Sequence, residues 1–341
     1  MEKTIKIEDA VGRVLAHDIT EIRRGEFKGR AFKKGHKIER KDICHLQRLG
    51  KRHIYVIEQR EGFLHENDAV TLLAKAFCGK GIAWKGEPKE GKLKLFADTS
   101  GLLRVNVDAL TEINMLGKVM CATVHNNTLV KQGDVVAATR AIPLFIEDQL
   151  VEKAVDIATR SDGILDIRSI RAARTAVLIT GSEIVNNLIE DQFEPILRDK
   201  IRDLGSEVVG VDFATDDSNV IKNKILGFID NGADLILTTG GMSVDPDDMT
   251  REGIIKAGAE AIIYGSPVLP GAMFMIAYIG DIPVLGVPAC GIYHKTTMLD
   301  LILPRVLAGE RFTRKELAVM GHGGLCLNCP ECSYPACPFG K

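Results

Sequence analysis

The pattern of apolar residues in the second half of the chain is compatible with few folds. Short, nearly continuous apolar runs alternate there with segments of helical periodicity. Strands are predicted at 176–180, 207–213, 233–239, 273–279 and 282–287, and helices at 193–204, 218–230, 247–257 and 291–308. Apolar runs without polar alternation are typical of strands covered on both faces, as in parallel sheets. We therefore expect a three-layer α/β domain with a parallel or mixed sheet over residues 172–310.

The first half has shorter strands and no repeat. Ile7, Val11, Val14 and Leu15 have helical spacing, which predicts a helix near 7–15. We expect an α+β N-terminal region over residues 1–150, a connecting helix within 151–171, and a separate cysteine-rich tail over 311–341.

Composition excludes several classes of protein. The chain has 341 residues with a formal net charge of −2, so no overall field attracts it to nucleic acid. Its first residues lack the apolar core of a signal peptide, and no apolar run reaches the length of a membrane span. We expect a cytoplasmic protein without a nucleic-acid or membrane partner.

Polar residues suited to phosphate and cation binding follow three of the predicted strands. The runs are Thr180-Gly181-Ser182-Glu183, then Thr215-Asp216-Asp217-Ser218, then Thr239-Gly240-Gly241-Met242-Ser243 with Asp245, Asp247 and Asp248 after it. Parallel strands end at one edge of a sheet, where glycine amides can approach an anion and carboxylates can hold Mg²⁺. Each feature also has a structural explanation: a Gly-Gly pair can be a tight turn, and Asp217 or Asp247 can cap a helix.

These motifs resemble a known family. TGSEI, TTGGMSVDPDD, LPG (269–271) and GVPACG (286–291) are similar, in order and spacing, to the MoaB/Mog-type molybdopterin-binding domain of the molybdopterin molybdenumtransferase family. The resemblance covers about residues 172–310. The stretch EDAVGRVLAHDI (8–19) resembles the start of the transferases, which favours them over nucleotide-amide hydrolases that carry the same domain.

The resemblance implies insertion of molybdenum, supplied as molybdate, into adenylylated molybdopterin with the help of Mg²⁺. It implies catalytic roles for Glu183, Asp217 and Asp248. It implies cofactor-binding roles for Thr180, Gly181, Ser182, Thr239, Gly240, Gly241, Ser243, Pro270, Gly271 and Pro288. The transferases are dimers, so a homodimer is expected, with molybdoenzymes or other cofactor-synthesis proteins as further partners.

Two loops depart from the family pattern. Ala272 and Met273 stand where the family has Lys and Pro. After Pro288, Ala289-Cys290-Gly291 stands where the family has Gly-Asn-Pro. The loss of a lysine removes an anion contact. This favours an alternative function, a non-catalytic carrier or sensor of the cofactor. The Cys290 thiol can either meet molybdenum or serve as a small buried hydrophobe.

The C-terminal tail carries four of the eight cysteines, Cys326, Cys329, Cys332 and Cys337, spaced C-x₂-C-x₂-C-x₄-C. Thiolates at this spacing are suited to Zn²⁺ or an iron–sulfur cluster. A redox-active or disordered tail is the other interpretation. If the tail provides the main activity, the chain is an electron-transfer or redox-sensing protein.

Overall fold

A computed structural model describes residues 4–23, 27–56, 61–186, 190–242, 245 and 248–341. The chain divides into two compact units, one of residues 1–126 and 130–167 and the other of residues 127–129 and 168–341. In the part described, no helix is both long enough and apolar enough to cross a membrane.

The second unit is built on a six-stranded mixed sheet in the order β15-β14-β16-β19-β18-β17. Its strands are β14 (Arg174–Thr180), β15 (Glu207–Ala214), β16 (Leu235–Thr239), β17 (Glu260–Tyr264), β18 (Met275–Ile279) and β19 (Ile282–Val287). β15, β14, β16 and β19 run parallel, whereas β18 and β17 are antiparallel to their neighbours. The mixed sheet expected from the apolar runs is confirmed.

Helices cover both faces of this sheet. They are α5 (Ser182–Val185), α6 (Phe193–Asp203), α7 (Ser218–Asp230), α8 (Thr250–Lys256), α9 (Cys290–Tyr293), α10 (Met298–Leu307) and α11 (Arg314–Val319). Val177 and Ile179 pack in one core with α6 and α10, while Leu178 packs in another with α7 and α8. Because successive strand residues point to opposite faces, this alternation produces three layers. The α/β fold predicted for this half is confirmed.

The first unit has small antiparallel sheets and four helices within the described residues. Its strands are β1 (Thr4–Lys6), β2 (Ile19–Arg23), β3 (Phe27–Phe32), β4 (His53–Tyr55), β5 (Phe63–His65), β6 (Ile82–Trp84), β7 (Lys92–Ala97), β8 (Gly101–Val105), β9 (Val119–Thr123), β10 (Leu129–Val130), β11 (Val135–Ala141), β12 (Phe145–Glu147) and β13 (Leu165–Arg168). Its helices are α1 (Asp42–Arg48), α2 (Glu66–Phe77), α3 (Val107–Asn114) and α4 (Asp148–Arg160). Helix α2 packs on the sheet β6-β7-β11-β9 around buried Leu73, Phe77 and Leu95, and α4 packs against α2. The connecting helix expected within 151–171 corresponds to α4, which belongs to this unit.

The helix expected near 7–15 is not formed. Ile7–Asp9 makes a single 3₁₀ turn, and Val14 and Leu15 then form isolated β-bridges with Lys37 and Val56. Leu15 is buried but Val11 is 48% exposed. The helical spacing was therefore coincidental, since these side chains do not share one buried face.

The long helix expected over 291–308 is interrupted. α9 ends at Tyr293, and α10 begins after Thr297, whose hydroxyl accepts a hydrogen bond from the Leu299 amide at 3.3 Å. The Asp300 carboxylate accepts the Thr297 amide hydrogen at 2.7 Å. This reciprocal capping box starts a new helix within a sequence whose periodicity suggests a continuous one.

A buried carboxyl in the first unit predicts a pH effect on stability. Burial raises the pKa of Glu66 from 4.5 to about 7. Between these pH values Glu66 is therefore ionised in the unfolded chain but protonated in the folded chain. The free energy of unfolding falls as pH rises from about 4.5 to 7. We expect Glu66→Gln to raise the free energy of unfolding by about 1–3 kcal/mol above pH 7 and to leave it unchanged below pH 4.5.

Urea unfolding at a series of pH values measures this effect. Glu152→Gln, at an exposed position of α4, is the matched control and should show no such pH dependence. An equal change in the two variants would contradict the role of Glu66.

Candidate functional site

The parallel strands finish at a common edge of the sheet. In the register of the sheet, Thr180 lies beside Ala214, Ile179 beside Thr239, and Thr239 beside Val287. The segments that follow β14, β15, β16 and β19 therefore all leave from the same edge. This is the edge at which open α/β sheets bind ligands.

Three buried threonines connect two of these segments. The Thr180 hydroxyl donates to the carbonyl oxygen of Thr239 at 2.8 Å and lies 2.7 Å from the hydroxyl of Thr250 in α8. Gly240, at φ +76°, follows directly, and a Cβ there would lie 2.1 Å from the Thr180 carbonyl oxygen. Gly241 has φ +52°, and a Cβ there would lie 2.3 Å from the Thr250 hydroxyl. Glycine is therefore required at both positions for the two segments to approach each other.

A second pair of segments is joined by Ser182 and Asp216. One carboxylate oxygen of Asp216 accepts hydrogen bonds from both the amide and the hydroxyl of Ser182, each at 2.8 Å. The Asp216 amide donates back to the Ser182 hydroxyl at 3.3 Å. These bonds fix the turn after Gly181, whose φ is +142°. An open cleft of about 590 Å³ lies here, lined by Ser182, Asp216, Asp217, Ser218, Asn219 and Met249.

Two of the three expected catalytic carboxylates can be placed. Asp217 lines the cleft and also caps α7, since one of its oxygens accepts from the amides of Asn219 at 2.7 Å and Val220 at 3.2 Å. Asp248 immediately precedes Met249, another lining residue, and its carboxylate accepts from the Asp245 amide at 3.3 Å. The capping role that the sequence left open for Asp217 is therefore present.

Thr239 places a buried hydroxyl at the end of β16. Thr239 is fully buried at the carboxyl end of β16, and its hydroxyl has no hydrogen-bond partner within the described chain. Strand alternation directs it to the face covered by α6 and α10. A buried, unpaired hydroxyl is costly, so it is a natural donor or acceptor for a bound molecule.

The first of the two proline loops contacts the start of α10. The Met298 amide donates to the Pro270 carbonyl oxygen at 3.1 Å, and a Cβ on Gly271 would lie 2.5 Å from that of Met298. Pro288 follows β19, and its carbonyl oxygen accepts from the Gly291 amide at 2.9 Å. Burial raises the pKa of Cys290, which keeps it a thiol and favours a packing role over metal ligation.

The remaining expected site residues fall into two groups. The Glu183 side chain, Ser243 and Asp247 lie outside the described residues. Cys326, Cys329, Cys332 and Cys337 line a separate cavity. Among all described residues, no group of three or more His, Cys, Asp or Glu side chains is arranged to hold a metal ion.

Sequence reasoning did not assign site roles to Asp216 or Thr250. Asp216 stood in the recognised strand-end run, but only its bonds to Ser182 distinguish it from Asp217. Thr250 lies 70 residues from Thr180, and nothing in the sequence signals their contact.

Curated relatives match only part of the chain. A CinA-like protein of Mycobacterium avium is 30% identical over 93 residues, which are 27% of this chain and 21% of that protein. A CinA-like protein of Mycolicibacterium vanbaalenii is 32% identical over 101 residues, again 27% of this chain and 24% of that protein. The chain thus spans about a quarter or less of the length of these relatives.

Solved structures resemble the chain at low identity. The molybdopterin biosynthesis enzyme MoaB of Thermus thermophilus is 20% identical with a TM-score of 0.35, covering 41% of this chain and 99% of that one. The molybdopterin biosynthesis moea protein of Pyrococcus horikosii is 15% identical with a TM-score of 0.34, covering 91% of this chain and 75% of that one.

Two family models match the chain. Residues 4–58 match a domain of unknown function (DUF8806), which lends no support to the expected transferase-like start at 8–19. Residues 176–308 match a probable molybdopterin binding domain, and this range contains every strand-end segment described above. The second unit of the chain therefore contains a region that matches the model of a probable molybdopterin binding domain.

Proposed function

We propose that the chain binds molybdopterin at the carboxyl edge of its six-stranded sheet and inserts molybdenum into the adenylylated form. The observation that supports this best is the convergence of the segments after β14, β15 and β16. The Thr180–Thr239–Thr250 contacts and the Ser182–Asp216 pair hold them together. Adenylylated molybdopterin and molybdate are the substrates, and AMP leaves.

Each part of the edge has a distinct task in this proposal. The backbone amides of Gly240 and Gly241 approach the phosphate, because no side chain intervenes at the glycines. The unpaired Thr239 hydroxyl supplies one further hydrogen bond from the buried end of β16. Asp216 does not touch the ligand but keeps Ser182 in position.

Carboxylates of the cleft suit a magnesium ion. Asp217 offers hard oxygen atoms at the cleft, and Asp248 lies next to the lining residue Met249. Carboxylates beside a phosphate repel it unless a cation lies between them, so these residues fit Mg²⁺. When bound, Mg²⁺ neutralises phosphate charge as the nucleotide leaves. Glu183 completes the expected trio.

A carrier or sensor without turnover is the second candidate. The Lys-Pro pair of the family is replaced by Ala272 and Met273, and the structure uses this stretch for a turn. The Phe274 amide donates to the Gly271 carbonyl oxygen at 3.0 Å, and the Ser266 amide to that of Ala272 at 2.8 Å. The turn of residues 271–274 contributes no cationic side chain, which favours binding over catalysis.

Release of AMP distinguishes the two candidate functions. Purified protein is mixed with adenylylated molybdopterin, molybdate and Mg²⁺, and AMP is quantified by chromatography. Molybdate-dependent AMP release supports insertion. Tight retention of the cofactor without AMP release supports a carrier, and absence of both contradicts the binding proposal.

We expect Asp248→Ala to abolish Mg²⁺-dependent AMP release while the fold is retained. The variant removes a carboxylate from the edge of the cleft but leaves the buried threonine contacts intact. Asp203→Ala, at the exposed end of α6, is the control and should turn over like the wild type. Unchanged turnover in Asp248→Ala would exclude a catalytic role for this residue.

A further inference from the structure

The C-terminal tail, residues 325–341, encloses a cavity of about 360 Å³ against the loop that joins α9 to α10. All four tail cysteines line it, and residues 293–296 form its opposite wall. Each residue of the tail is described, and none belongs to a helix or strand. The proposed function uses none of these groups.

The two ends of the tail are fixed to the domain. The Leu269 amide donates to the Gly324 carbonyl oxygen, and the Cys326 amide donates to the Leu269 carbonyl oxygen, both at 2.8 Å. At the other end, the Gly340 amide donates to the Gly323 carbonyl oxygen at 2.9 Å. The tail is therefore a closed loop that starts and ends at one place.

Buried side chains hold this loop on the core. Phe339 is only 2% exposed and belongs to the core that contains α6 and α10. Its ring meets that of Tyr334 edge-on, with centroids 6.3 Å apart. These apolar contacts hold the loop on the core.

The groups around the cavity suit a soft metal. No carboxylate occurs among its lining residues, all of which are described, so hard cations lack ligands there. Thiolates prefer Zn²⁺ and iron–sulfur clusters. Lys295 adds a positive charge beside the thiolates, and the Thr296 hydroxyl lies 3.3 Å from the sulfur of Cys332. Such neighbours offset the negative charge that four thiolates bring to one centre.

We propose that Cys326, Cys329, Cys332 and Cys337 form one thiolate-ligated metal centre, occupied by Zn²⁺ or an iron–sulfur cluster. Cys326 and Cys337 are half-buried near the fixed ends, whereas Cys329 and Cys332 are exposed on the free middle of the loop. In the described structure the four side chains do not yet surround one point, so ligation requires the exposed pair to move toward the half-buried pair. Each thiol loses its proton to solvent as it binds. The bound metal then holds the tail against the segment that contains Leu269.

Metal content and thiol protection test this directly. The full chain is purified anaerobically and analysed for zinc, iron and acid-labile sulfide. Chelated protein is then titrated with Zn²⁺ alone, or with ferrous iron and sulfide, under reducing conditions. We expect one zinc ion per chain, or iron with sulfide and visible absorption, and protection of four thiols from a thiol reagent.

Cys329→Ser and Cys332→Ser are the test variants, since both side chains are exposed and their loss should leave the fold intact. Cys44→Ser, an exposed cysteine of the first unit, is the matched control. Metal affinity should fall at least about 100-fold in the tail variants and stay unchanged in the control, with circular dichroism confirming folding in all three. Failure of both metals to bind, or equal binding by all variants, overturns the proposal.

Discussion

Gly240→Ala should lower the free energy of unfolding by about 3–5 kcal/mol and abolish molybdopterin binding. The added Cβ would lie 2.1 Å from the carbonyl oxygen of Thr180, at a position with φ +76°. Backbone atoms on both sides of this contact cannot move without breaking the hydrogen bond from Thr180 to Thr239. Urea unfolding and a fluorescence titration with molybdopterin measure the two effects.

Gly258→Ala separates backbone strain from close approach. Gly258 also has a positive φ, +91°, but a Cβ there meets nothing within 4 Å. Gly258→Ala should lower the free energy of unfolding by about 1–2 kcal/mol, the strain of a left-handed residue alone, and leave molybdopterin binding intact. If the two variants lose the same stability and affinity, the contact between the strand ends has no special role.

Asp216→Ala should weaken molybdopterin binding by about 10–100-fold, the equivalent of about 1.4–2.8 kcal/mol. The variant removes the oxygen that accepts both hydrogen bonds from Ser182. The turn after Gly181 then loses its fixed position, so the Ser182 side chain that lines the cleft is no longer pre-arranged. Isothermal titration with molybdopterin gives the affinity directly.

Asp212→Ala, in the strand that precedes Asp216, is the matched control. Asp212 forms a partly exposed ion pair with Lys224 at 2.5 Å, which contributes at most about 1 kcal/mol. Its removal should not alter the affinity. A normal affinity in Asp216→Ala would show that the Ser182–Asp216 pair is structural only.

The second unit could be predicted well because its signals are local. Apolar runs, helix caps and glycine stops placed β14, α6, β15, α7 and β16 within a few residues of their observed bounds. The break at Thr297 was missed because a capping box inside a periodic sequence looks like ordinary helix. In the first unit, short strands paired over long distances, as Leu15 with Val56 does, leave no comparable pattern.

The sequence predicts which strand ends form the candidate site, but it does not predict the hydrogen bonds between their side chains. The sequence shows that Thr180, Thr239 and Asp217 follow strands, and the parallel topology then brings them to one edge. It does not show that Asp217 caps α7 while Asp216 holds Ser182, because two adjacent carboxylates look equivalent in sequence. Such roles depend on side-chain direction, which only tertiary structure determines.

Hydrogen exchange measured with and without molybdopterin tests the central claim most directly. Binding at the carboxyl edge of the sheet should slow exchange of amides at 180–182, 214–218 and 239–241 and leave the first unit unchanged. Protection confined to the first unit, or none at saturating ligand, would contradict the account.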